Sequence, residues 1–247
     1  MCLCSTMSDN IIEDAVHVIN DIKEKFMLYM AHVCRCKCQS KAIADIEKDL
    51  QQECIETKGR STKALMIIDF KMKFEATSSR ENTLQHFGKR GIGWHGCALI
   101  YYLYKVVTDK NNVVQKDTGG KDIYGAKKHI VYIDQILEDC NKQDGATVLS
   151  LLEAALLVIN DELPFIRNII MQSDKANMLQ NPHVVFGIHM LNCKYKNKIF
   201  VLEFIHSETQ DGKTLLDAHF ASTNKHLKSF MLVWKKIELP KYKHRWD

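Results

Sequence analysis

Five consecutive apolar residues, Ala64-Leu-Met-Ile-Ile68, run straight into Asp69. A run this short and this uniform reads as a strand buried on both faces, and such strands belong to α/β sheets covered by helices on each side. Beyond the run, Asp69, Lys71 and Lys73 fall on one side of an extended chain and Phe70, Met72 and Phe74 on the other. Two more extended stretches, 91–107 and 128–137, are separated by a polar segment carrying Gly119-Gly120, and together the three predict a meander. Strands and helices then alternate. Val148, Leu151, Leu152, Ala155, Leu156 and Ile159 predict a helix over 146–162 ended by Pro164. Residues 165–171 predict a strand delivering Ser173-Asp174, 182–193 a helix entered through Pro182, 198–205 a strand, and a last helix runs from near Thr214 towards Trp234.

This order predicts an α/β fold with one mixed sheet, an antiparallel three-strand meander joined to parallel strands by right-handed crossover helices. Ahead of it, Ile11, Ile12, Ala15, Val18, Ile19, Ile22 and Phe26, and then Ile43, Ile46 and Leu50, recur at helical steps and predict two helices. The expected division is a helical segment at 1–60, a sheet domain at 61–235 and a basic tail at 236–247. Only 3 Pro and 11 Gly in 247 residues leave little material for linkers, so one main globule is expected.

No apolar stretch is long enough to cross a bilayer and residues 1–10 lack the apolar middle of a signal peptide, so no membrane partner is expected. Nine scattered cysteines in so long a chain predict reduced thiols, hence a nuclear or cytoplasmic location. The net charge is only +4, yet seven Lys/Arg face two acids from Thr223 to Asp247, and eight face three between Lys58 and Arg90. Two local excesses on a near-neutral chain suit a polyanion, although a solvated charged surface explains them equally well.

Functional groups in such sheets collect beyond the carboxyl ends of the strands, where Asp69 and Asp174 are expected. If their strands are neighbours, the two carboxylates repel unless a cation lies between them, and Mg²⁺ suits oxygen donors and phosphate chemistry. Three acids could be a third ligand, Glu208, Asp211 and Asp217. Asp217 would begin the last helix beside the apolar stripe Leu216, Phe220, Leu227 and Met231, but Thr214-x-x-Asp217 also fits a capping box. Asp69 and Asp174 could likewise be no more than solvated strand ends.

Asp69-Phe-Lys71-Met-Lys73, Arg80-Glu81, Gly88-Lys-Arg-Gly-Ile92 and Trp94-His95-Gly96 resemble the first catalytic block of a family of transposon-encoded proteins of eukaryotic genomes. These have an RNase H-like fold and a DDE/D-type centre, here of three aspartates. Ser173-Asp174 and Glu208-Thr-Gln-Asp-Gly212-Lys213-x-x-x-Asp217-x-x-x-Ala221 resemble the second and third blocks in order, and the upstream helices also resemble that family's. The resemblance implies catalytic, metal-binding carboxylates at Asp69, Asp174 and Asp217, a pair of Mg²⁺ or Mn²⁺ ions, and cleavage and strand transfer of DNA phosphodiesters. It further implies transposon ends and target DNA as partners, and a homo-oligomer. Lys71, Lys73, Lys89, Arg90, His95 and Lys213 are the expected nucleic-acid contacts, together with the basic tail.

Lys175 departs from the family pattern, since an ammonium next to Asp174 could compete with a cation. It motivates an alternative, a transposon-derived remnant that binds nucleic acid or protein without catalysis. A cellular nuclease on the same scaffold is a third reading. Other motifs are less specific. Asp211-Gly-Lys-Thr214 is similar to the end of a phosphate-binding loop, but the glycine that loop requires earlier is Ser207. In Cys34-x-Cys36-x-Cys38 only the outer thiols share a helical face, so a zinc site would need His32 or Cys54 as well. His183, His189 and Cys193 have metal-like spacing on an otherwise apolar helix.

Overall fold

A computed structural model describes residues 3–74, 92–110, 113–137, 144–174, 176, 179–208 and 215–238. Helix α1 (Leu3–Thr57) is followed by β1 (Lys63–Phe74), β2 (Ile92–Val106) and β3 (Tyr124–Leu137). Then come α2 (Gly145–Glu162), β4 (Asn168–Asp174), α3 (Pro182–Tyr195), β5 (Phe200–Ser207) and α4 (Leu215–Glu238). The five strands form one mixed sheet in the order β3-β2-β1-β4-β5. β1 pairs antiparallel with β2, and β2 with β3; β1 pairs parallel with β4, and β4 with β5.

The strand pleat sorts β1 cleanly. Ala64, Met66 and Ile68 enter the main core with Val148, Leu152, Ala155, Leu156 and Ile159 of α2 and Val184, Ile188 and Leu191 of α3. Ile67 on the opposite face packs on a smaller cluster of Trp94 and Ala98 from β2 and Leu216 and Phe220 from α4. Helices therefore cover both faces, which is why the run 64–68 shows no polar alternation. The Asp144 side chain caps α2 by accepting from the Thr147 N–H at 2.9 Å, and Asn181 with Pro182 starts α3.

The chain divides into two compact units, Met1–Ile46 and Glu47–Asp247. The end of α1 belongs with the sheet rather than with the helical segment because its side chains are spent there. Leu50 and Cys54 are fully buried, Glu47 accepts from Tyr102 and Lys128, and Glu53 accepts from both Thr62 N and Thr62 Oγ1. In the first unit the expected pair of helices is one continuous helix, since no Gly or Pro interrupts 3–57 and the polar stretch around Cys34–Cys38 is helix-compatible. There Val18, Ile19, Ile22 and Phe26 of the predicted stripe are exposed.

Candidate active site

The last parallel rung of β1 and β4 pairs Ile67 with Gln172, and Asp69 and Asp174 each lie two residues further on. Asp174 therefore stands at the carboxyl end of β4, whereas Asp69, expected to end its strand, lies within β1, which runs on to Phe74 because Phe70 and Lys71 keep pairing with β2. Both acids point to the face covered by α4. On the other side Asp69 is paired with Gly96 of β2, and Gly96 with Asp134 of β3, so Asp69, Gly96 and Asp134 form one row across the sheet. Asp217 is an exposed residue in the first turn of α4, next to the fully buried Leu216. Leu216 and Phe220 anchor that turn to the sheet, whereas Leu227, predicted in the same stripe, is exposed.

Electrostatics connects the three acids. Burial, the charge of Asp174 and, to a smaller degree, the charge of Asp217 push the Asp69 carboxyl up to about 6 against the counter-effect of a bond from its own following amide. That amide, Phe70 N–H, donates to Asp69 Oδ1 at 2.7 Å. Asp174 accepts from the Ala176 N–H at 3.1 Å. A carboxyl whose proton is held by two neighbouring negative charges is one whose repulsion a divalent cation relieves, and the donors are all hard oxygens, as Mg²⁺ and Mn²⁺ prefer. By chemistry the donor set fits such an ion. By spacing it is open: among the described residues no three His, Cys, Asp or Glu side chains are gathered closely enough to hold a metal.

No protein family, curated protein or solved structure matches this chain. Its site must therefore be read from its own residues.

The other expected contacts distribute unevenly. Lys71 shares the face of Asp69, and its ammonium lies 4.6 Å from the Trp94 ring centroid, a cation–π contact that holds it on that face. Lys73 lies in β1, but its side chain, together with Lys89, Arg90, Asp211, Lys213, Thr214, Lys175 and the tail beyond residue 238, falls outside the described residues. His95 is on the opposite face from Asp69, fully buried, with its ring tilted against Phe70 at 4.7 Å and bonded through Nδ1 to Gln135 Oε1 at 2.6 Å. Burial drives its proton affinity down to about 4, so it is neutral at physiological pH and is not placed to meet phosphate. Adjacent strand residues alternate faces, and Trp94, not His95, shares the aspartates' side. Glu208 is buried just past β5. Cys36 lies 3.5 Å from His32, and His183 is engaged with Asn181, the α3 cap.

Sequence reasoning missed Asp134 and His219. Asp134 Oδ1 accepts from Trp94 Nε1 at 2.9 Å, its Oδ2 lies 2.8 Å from His219 Nε2, and His219 stacks flat on Tyr132 at 4.0 Å. His219 sits two residues after Asp217 on α4. The contacts therefore latch the start of α4 onto β2 and β3 and fix where Asp217 emerges. His219→Leu should cost about 1–2 kcal/mol in denaturant unfolding and speed amide exchange at the start of α4, with His219→Gln recovering part of both. Unchanged exchange in the Leu variant would show that the latch is not what holds the helix.

Proposed function

We propose that residues 61–235 are an RNase H-like catalytic domain of the DDE/D transposase type, acting on DNA phosphodiesters with a divalent cation. The observation that carries this reading is the placement of Asp69 of β1 beside Asp174 of β4 on the face of α4, where burial first, then the charge of Asp174 and least that of Asp217, raise its proton affinity. The strand order, with an antiparallel meander beside two parallel strands and a helix on the face of the acids, supports it. Asp69 and Asp174 would hold the ion, with Asp217 as the third carboxylate. Bound there, Mg²⁺ or Mn²⁺ supplies Lewis acidity for cleavage and strand transfer.

The protein's own groups divide the remaining work. Asp69 and Asp174 are fixed by short bonds to the amides of Phe70 and Ala176, so their oxygens are oriented before any ligand arrives. Lys71, its buried Nζ held over Trp94, puts positive charge beneath that face, a field that favours the phosphate backbone without touching it. The Asp134–His219 latch keeps α4 seated. DNA is the expected partner, in a nuclear or cytoplasmic setting, with self-association as the family resemblance implies.

Asp174→Ala tests the reading, because Asp174 is half-buried at a strand end and its loss leaves no apolar void. Calorimetric titration should show Mn²⁺ binding to the wild-type protein and at least tenfold weaker binding to the variant, whose nicking of supercoiled plasmid should vanish while its thermal melting is preserved. Plasmid nicking that survives in purified Asp174→Ala would reject the assignment. A second reading, a remnant that binds nucleic acid or protein without catalysis, is favoured by the open spacing of the acids among the described residues. It predicts no carboxylate-dependent Mn²⁺ binding at all.

A further inference from the structure

At the end of the sheet opposite the aspartates, Gly59, Arg60, Tyr101, Leu103, Tyr104, Lys105 and Phe165 enclose a cleft of about 480 Å³. Arg60 precedes Asp69 by nine residues of mostly extended chain, roughly 30 Å at ~3.3 Å per residue, so this cleft and the acid cluster are separate places. Three properties set it apart. One wall is aromatic: Phe165 meets Tyr101 edge-on at 5.6 Å. Its charge is of one sign, since Arg60 and Lys105 line it and, among the described residues, no carboxylate does. The Arg60 guanidinium lies over the Phe165 ring at 5.1 Å, a cation–π contact.

The field extends behind the wall. Tyr101 stacks at 5.5 Å on His129, whose proton affinity is lowered by burial and by the charges of Lys105 and Lys127. Arg60 in turn draws the Tyr101 hydroxyl down against the upward effect of burial. Arg60 from the loop into β1 and Lys105 from β2 thus flank a space of the size that small organic ligands occupy. Aromatic faces recognise a flat ring and the two cations recognise an anion, and one ligand class carries both.

We propose that this cleft binds a nucleotide unit, its base at the wall formed by Tyr101 and Phe165 and its phosphate at Arg60 and Lys105. The unit can come from a free nucleotide or from a single strand, for which aromatic stacking with flanking cations is a common mode of recognition. The inference rests on the walls of the cleft alone and is independent of what the aspartates do.

Calorimetric titration of the full chain with adenosine 5′-monophosphate, adenosine, inorganic phosphate and a ten-residue oligothymidylate tests it. Arg60 and Lys105 are both exposed, so Arg60→Gln and Lys105→Gln should fold normally, which thermal melting checks. Each should weaken binding of the monophosphate or the oligonucleotide at least tenfold. Adenosine and inorganic phosphate, each carrying half of the recognised chemistry, should bind at least tenfold more weakly than the monophosphate. An oligonucleotide at least tenfold tighter than the monophosphate assigns the cleft to a strand; a monophosphate that binds equally well and displaces the oligonucleotide assigns it to a free nucleotide. The proposal is overturned if neither ligand binds at millimolar concentration, if both Gln variants bind as the wild type does, or if inorganic phosphate alone binds as well as the monophosphate.

Discussion

Asp69→Asn should stabilise the metal-free protein near neutral pH while removing its divalent-cation binding. Ionising this carboxyl in the folded chain is opposed first by burial and then by Asp174 and Asp217, so the group titrates at about 6 instead of 3.8. For an acid whose folded-state value is raised, the unfolded chain releases its proton first, so its contribution to stability falls as pH rises through that window. It is neutral below about 4, and the full penalty is present above about 6. The difference corresponds to about 3 kcal/mol. Asn keeps the oxygen that accepts from the Phe70 amide and carries no charge, so it escapes the penalty without losing the bond.

His95 must be separated from this effect, because it titrates over the same range with opposite sign. Its folded-state value is lowered from 6.5 to about 4, so it destabilises the folded protein as pH falls through that window, again by about 3 kcal/mol. The two slopes nearly cancel in the wild-type protein, whose stability should look flat between pH 4 and 6.5. In Asp69→Asn only the histidine slope is left, and stability should climb with pH. The quantity to measure is the difference between the two proteins in urea unfolding, near zero at pH 4 and about 3 kcal/mol in favour of the variant at pH 7. Adding Mn²⁺ should close the gap by stabilising the wild type alone. An Asp69→Asn protein that is less stable than wild type at pH 7 would mean that Asp69 holds the fold together and is not a strained functional acid.

Much of this architecture is written in local pattern. The run 64–68, the α2 stripe and Pro182 each specify an element by a short-range rule, and strands and helices occur in the predicted order. The discrepancies have local causes too. β3 begins at Tyr124 rather than 128 because it is an edge strand with an exposed side, so polar residues extend it at no cost. β4 begins at Asn168 rather than 165 because a turn bonds Ile166 N–H to Leu163 C=O first. Asp174 and Asp217 were legible as strand-end and helix-start acids and Asp69 as the acid after an apolar run, although β1 continues past it to Phe74, and the family resemblance singled out all three. Asp134 and His219 were not, because their meaning depends on register. Only the rung that pairs Gly96 with Asp134 brings that carboxylate into the row of Asp69, and a long connection between β2 and β3 leaves that register unspecified by any turn.

Gly96 shows how the same register converts a missing side chain into site geometry. It lies directly across from Asp69, under the first turns of α4. A Cβ there would stand 2.6 Å from Phe220 Cζ and 2.7 Å from Phe220 Cε1, closer than carbon atoms approach, and a tight 3.2 Å from Leu216 Cδ2. Phe220 cannot simply turn aside, because Trp94 meets it edge-on at 5.3 Å and Ala98 and Ile67 complete its surroundings. The added methyl must therefore lift the start of α4, and Asp217 with it. Gly96→Ala should destabilise the protein by about 1–3 kcal/mol, as overpacking of a tight interior does, and weaken Mn²⁺ binding at least tenfold although no carboxylate has been touched. Shortening the opposing ring supplies the control. In Gly96→Ala/Phe220→Leu the smaller side chain makes room for the methyl, so the double variant should bind Mn²⁺ more tightly than Gly96→Ala and be less destabilised than the sum of its parts. If Gly96→Ala binds the ion as the wild type does, Asp217 need not be seated on the sheet for coordination, and the third carboxylate must be sought elsewhere, with the buried Glu208 at the end of β5 as the next candidate.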